Sequence, residues 1–117
     1  METLRVQLGD RGYPINIGQD ILSTLPELVA GTGVEGVVAL VTDTTVDSVY
    51  GATVESLLTD AGHTVVRCVM PAGESNKRLR QVETFIGEFL EGGLDRSSLV
   101  VALGGGVVGD TAGYTAA

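Results

Sequence analysis

The sequence predicts an α/β fold: an N-terminal β-hairpin followed by a Rossmann-like parallel sheet with flanking helices. Three observations predict it. Near the N-terminus, apolar residues alternate on both sides of a glycine-flanked turn, as half-buried antiparallel strands require. From Gly36 onward, short continuous apolar runs alternate with stretches of helical spacing. That is the βαβ pattern, whose parallel strands need crossovers. Finally, consecutive glycines, Gly104-Gly105-Gly106, stand where one apolar run ends and a helical stretch begins.

Leu4, Val6 and Leu8 precede the GDRG turn, and Tyr13, Ile15 and Ile17 follow it. Pro14 has no N–H to give, so its strand lies at an edge or begins there. A short helix is expected within Asp20 to Ala30, with Asp20 and Thr24 both suited to its N-cap. Val37 to Val41 is uninterrupted and apolar, as in a strand covered on both faces. Val46, Val49, Tyr50, Val54, Leu57, Leu58 and Ala61 recur at helical spacing, and Gly62 suits the left-handed residue past a helix end. Val65 to Met70 is the next strand. Leu79, Val82, Phe85, Ile86, Phe89 and Leu90 mark a helix stopped by Gly92 and Gly93. Leu99 to Leu103 reads as a third buried strand, with a helix from Val107 onward. The final YTAA has neither a C′ glycine nor a polar tail, so the expectation is a chain cut within an element.

The 117 residues suit one domain or part of one. Apolar residues make up 44% and charged residues 19%, a globular balance. A net charge of −8 argues against a nucleic-acid or anionic-membrane partner, because phosphates attract basic faces. Seven Lys and Arg still suffice for a local anion site. Cys68 is the single cysteine, which rules out an intrachain disulfide and points to a reducing compartment. METLRVQLGD has no signal-peptide pattern, and no apolar run approaches the roughly 20 residues of a membrane helix. A soluble, cytoplasmic protein is expected.

In open α/β sheets, ligands gather beyond the carboxyl ends of the strands. Thr42-Asp43-Thr44, Pro71 to Lys77, and Gly104 to Gly106 meet that description. Glycine lets a ligand approach bare main chain, and a helix starting there offers free N–H groups to a phosphate. Gly104-x-Gly106-x-x-Gly109 also fits the dinucleotide fingerprint formally, but on a later turn than the fingerprint occupies. PAGESNK is not a Walker A loop, since it lacks the second glycine and the Gly-Lys-Ser/Thr ending. Asp43 can accept from ribose hydroxyls or cap a helix. Glu74 and Lys77, three apart, can contact a ligand or form a solvated pair. Asp110 is open in the same way, because an acid in a first helical turn also favours the dipole. His63, alone, lacks the companions a catalytic zinc needs, and Cys68 reads as a buried small hydrophobe.

YPINIG at Tyr13 to Gly18, PAGESNK at Pro71 to Lys77 and GGGVVGDTAGYTAA at Gly104 to Ala117 resemble the N-terminal domain of 3-dehydroquinate synthase, in order and in spacing. Departures are mild: Thr111 stands where Leu is common, and Tyr114 where Phe is usual. The resemblance implies that residues 1–117 are a partial NAD-binding α/β domain, truncated before a C-terminal helical domain that holds metal and substrate. It implies NAD as cofactor. Ala72, Gly73, Glu74, Ser75, Asn76 and Lys77 would hold the adenosine ribose, with Asp43 near the adenosine end. Gly105, Gly106, Val107, Val108 and Gly109 would carry the pyrophosphate and nicotinamide side, and Asp110 would reach the carboxamide. No catalytic or metal-ligating residue is expected in the chain.

The family reaction converts 3-deoxy-arabino-heptulosonate 7-phosphate, a phosphorylated sugar acid, to 3-dehydroquinate and phosphate on the shikimate route to chorismate. It uses tightly held NAD and a divalent metal, zinc or cobalt, in the full-length enzyme, a homodimer. The isolated chain is expected to be inactive. Another sugar phosphate cyclase, such as 2-deoxy-scyllo-inosose synthase, and a non-catalytic nucleotide-binding module are the alternatives.

Overall fold

The computed structural model describes residues 2–73 and 79–117. It opens with an antiparallel hairpin, β1 (Glu2–Val6) and β2 (Tyr13–Ile17), in which Leu4 faces Ile15 and Val6 faces Tyr13. Pro14 lies opposite Arg5 in this two-stranded ribbon, where each strand has an open edge. A 3-10 turn, Leu22–Thr24, then leads into α1 (Leu25–Gly31). Thr24 occupies the N-cap position but does not cap through its side chain. Its hydroxyl donates instead to the Ile21 carbonyl at 2.6 Å, the local back-bond that threonine makes in tight turns.

β3 (Val38–Asp43), β4 (Val65–Met70) and β5 (Leu99–Leu103) form a parallel sheet in the order β4-β3-β5. Since β3 is central, Val38 to Thr42 are all fully buried. Its alternate side chains serve opposite layers, as pleating demands. Ala39 and Val41 pack with Phe85 and Phe89 of α4 (Leu79–Glu91) and with Val108 and Ala112 of α5 (Gly106–Ala116). Val38 and Leu40 pack with Val29 of α1 and with Val54 and Leu58 further on. Helices therefore cover both faces, and the predicted fold class is the observed one. β5 departs from expectation: it is half-buried, with Ala102 exposed, rather than buried throughout. Among the described strands it pairs on one side only, which leaves its outer flank uncovered.

The helix following β3 was expected to be continuous. It is instead α2 (Thr44–Val46), a π-helical turn Asp47–Gly51, and α3 (Ala52–Asp60). Arg67 of β4 packs against the wider turn. It donates through Nε to Asp47 Oδ1 at 2.7 Å and through Nη1 to Glu55 Oε2 at 2.9 Å. The two carboxylates raise the guanidinium pKa further, Asp47 contributing most. A Cβ on buried Gly51 would collide with the Asp47 carboxylate, so this ion pair occupies the space a side chain would fill. The wider turn shifts the helical phase, and Val49 and Tyr50, which share the expected apolar spacing, face solvent instead. At the far end, Gly62 adopts φ +98° and donates to the Thr59 carbonyl at 2.9 Å, ending α3 as expected.

Candidate functional site

Parallel strands put their carboxyl ends on one rim, and the register shows which residues meet there. Asp43 aligns with Met70, and Thr42 with Leu103, so the segments leaving β3, β4 and β5 are neighbours. Asp43 and the glycine turn thus share one edge of the sheet. Glu74, Ser75, Asn76 and Lys77 lie outside the described residues.

Asp43 is half-buried at the N-cap of α2, where its Oδ1 accepts from the Val46 N–H at 2.8 Å. The capping role, one of its two open readings, is therefore real, and it fixes the carboxylate at the rim. Ala72 is exposed just beyond β4, and its N–H donates to Thr44 Oγ1 at 3.1 Å. Gly73 follows with φ +116°.

The glycines after β5 divide into two kinds. Gly104 has φ +155°, and a Cβ there would stand 2.8 Å from Val108 Cγ2, so the fold itself demands glycine. Gly105, Gly106 and Gly109 differ: a Cβ on any of them would meet nothing within 4 Å. Packing does not account for their bareness. Gly105 is the N-cap of α5 and offers no side chain to cap it. The first helical hydrogen bond runs from Gly109 N to Gly105 O, 3.0 Å, and the N–H groups before it have no partner four residues back among the described residues. Uncapped donors on open backbone at a helix start suit an anionic group. Val108 is buried, so only its main chain is available to a ligand, whereas Val107 is half-buried against the same core. Asp110 is exposed on α5.

Thr42 and Thr44 fall within the predicted rim loop, but no role was predicted for either side chain. Thr42 is fully buried, and its hydroxyl donates to the Leu103 carbonyl at 2.7 Å. The available signal was a threonine ending an otherwise aliphatic strand. His63 stands at the opposite rim, before β4, where its buried Nδ1 has no hydrogen-bond partner among the described residues. It does not join the glycine turn. Among the described residues no three His, Cys, Asp or Glu are grouped to hold a metal ion, and no helix is long and apolar enough to cross a membrane.

The class comes from the fold. The chain superposes on 2-deoxy-scyllo-inosose synthase with a TM-score of 0.84 at 20% identity, covering 97% of this chain and 32% of that one. It also superposes on 2-epi-5-epi-valiolone synthase from Streptomyces hygroscopicus subsp. jinggangensis, solved with NAD+ and Zn2+ bound. There the TM-score is 0.72 at 25% identity, covering 94% of this chain and 30% of that one. The fold is one that about a third of each of these synthase chains also adopts.

Sequence comparison narrows the class. Residues 67–117 match the family model 3-dehydroquinate synthase N-terminal. All of the chain aligns with 3-dehydroquinate synthase of Pelotomaculum thermopropionicum at 46% identity, and with that of Geobacter metallireducens at 44%. Each alignment covers 32% of the relative, so the chain spans about a third of the length of these curated proteins. Over its whole length the chain is thus similar to about a third of these 3-dehydroquinate synthases, and over residues 67–117 to the family's N-terminal model.

Proposed function

We propose that the chain is the NAD-binding part of a 3-dehydroquinate synthase. The whole enzyme would convert 3-deoxy-arabino-heptulosonate 7-phosphate to 3-dehydroquinate and phosphate in the shikimate pathway. The observation that carries this reading is the open glycine backbone at the α5 start, beside Asp43 on the carboxyl rim. NAD fits there in chemistry: uncapped N–H donors for pyrophosphate, and a fixed carboxylate nearby for ribose hydroxyls.

In this reading Gly105, Gly106, Val107, Val108 and Gly109 bind the pyrophosphate and nicotinamide side through main chain. Asp110 orients the carboxamide. Asp43 lies toward the adenosine end, and Ala72 to Lys77 hold its ribose, with Glu74 and Lys77 making polar contacts. NAD, when bound, supplies a hydride acceptor that returns the hydride within the same cycle. The residues of this chain bind and orient; none is assigned a proton transfer.

A divalent metal, zinc or cobalt, belongs to the proposal for the whole enzyme. Its ligands are proposed to lie in the metal- and substrate-binding domain that the family resemblance implies. We extend the reading to a cytoplasmic homodimer acting on the phosphorylated sugar acid.

Phosphate release from the heptulosonate, measured on the intact enzyme with NAD supplied and NADH monitored, tests the proposal. Release without net NADH is expected. Accumulating NADH would mark an ordinary dehydrogenase, and NAD binding without turnover would favour a non-catalytic module. The 117 residues alone are expected to release no phosphate and to hold NAD weakly. Nanomolar affinity for the isolated chain by calorimetry would contradict that expectation.

A further inference from the structure

We propose that Thr42 and Thr44, the residues on either side of Asp43, are positioning residues that fix the spacing of the loops around the cofactor; this rests on the functional reading above. The backbone ladders end at this place. β3 and β5 make their last pair at Thr42 and Leu103, and β3 and β4 theirs at Asp43 and Met70. Past those rungs, strand pairing no longer holds the three segments together.

The two threonines continue the connection in opposite directions. Thr42 reaches the Leu103 carbonyl, 61 residues away in sequence, immediately before Gly104. Thr44 receives the N–H of Ala72, 28 residues away, at the head of the loop leaving β4. A hydroxyl at a fully buried strand position is costly unless bonded, and Val would match its shape. The β3 residues before it, Val38 to Val41, are all aliphatic. Thr42 thus carries a hydroxyl where the core alone favours valine. Together the pair ties the glycine turn and the Ala72-Gly73 segment to the strand that presents Asp43.

Thr44→Val and Thr42→Val keep side-chain shape and remove the hydroxyl. Thr44→Val is expected to accelerate amide hydrogen exchange at Ala72 in the intact protein. It should also weaken NAD binding about two- to tenfold, the worth of one hydrogen bond. Its melting temperature should hardly move, and Thr44→Ser should restore both readouts. Thr42→Val should weaken NAD by a similar factor, recovered in Thr42→Ser. Unchanged exchange at Ala72, or NAD affinity indifferent to both valine variants, overturns the proposal. A purely structural role would lower the melting temperature and leave the affinity of the folded fraction alone. Were the unsubstituted protein unable to hold NAD, the functional reading would fall, and the Ala72 exchange would still decide whether Thr44 ties the loop.

Discussion

The hairpin and the parallel sheet present apolar residues in opposite ways. Along β1 and β2 the alternation is clean, yet Leu4, Tyr13, Ile15 and Ile17 remain between 41% and 51% exposed. Along β3 there is no alternation, and every residue from Val38 to Thr42 is fully buried. Periodicity therefore reports the kind of element, while burial depends on what lies against it. A two-stranded ribbon has one face to cover and no layer of its own to cover it, and such ribbons are marginal in isolation. β3 has a strand on each side and helices above and below. Stability is concentrated around β3, and the candidate site hangs from its carboxyl end.

The largest effect expected from this contrast is in the core. Phe85→Ala, at a fully buried position against Ala39 and Val41, should cost about 3–5 kcal/mol in denaturant unfolding. Ile15→Ala in the hairpin should cost about 1 kcal/mol or less, since its side chain is already 41% exposed. Equal costs would break the comparison.

The rim glycines sharpen it from the sheet side. Gly104→Ala should destabilise by about 1–3 kcal/mol, through positive φ and contact with Val108. Gly106→Ala enters open space at the first residue of α5, so thermal stability should hold or rise slightly while NAD affinity falls. A stability loss at Gly106 would mean that the fold, rather than a ligand, requires that glycine.

Arg67→Met should cost about 1–2 kcal/mol, less at high salt, because the pairs with Asp47 and Glu55 are only partly shielded from solvent. At neutral pH the smallest effect comes from the titration of Cys68, which acts only in alkali. Burial foremost, then the nearby Glu88, pushes its pKa from an ordinary 9.0 up to about 12. The unfolded thiol ionises first, so its contribution to stability is complete below pH 9 and is lost as pH rises toward 12. Replacing it with Ala or Val should flatten unfolding free energy measured across that alkaline range, and leave the neutral-pH slope untouched.

Much of the candidate site's geometry was legible because it is built from residue types with few other uses. Three glycines at a strand-to-helix turn, and an aspartate after an apolar run, announce themselves. Thr42 and Thr44 did not, since threonine is common in strands and its partners lie 61 and 28 residues away. The π turn escaped for a related reason: the Arg67 pairs made at it join residues 20 and 12 apart, across an intervening strand crossover.

By itself the sequence determined the order and type of the elements, the rim on which the parallel strands end, and the resemblance to the 3-dehydroquinate synthase N-terminal domain. Those properties follow from local spacing and from residue types that restrict the backbone. Only the tertiary structure decided which glycines serve the fold and which face open space. It also decided that β5 is a half-covered strand and that two threonines tie the loops together. Each of those depends on distances between segments remote in the chain, which no local pattern encodes.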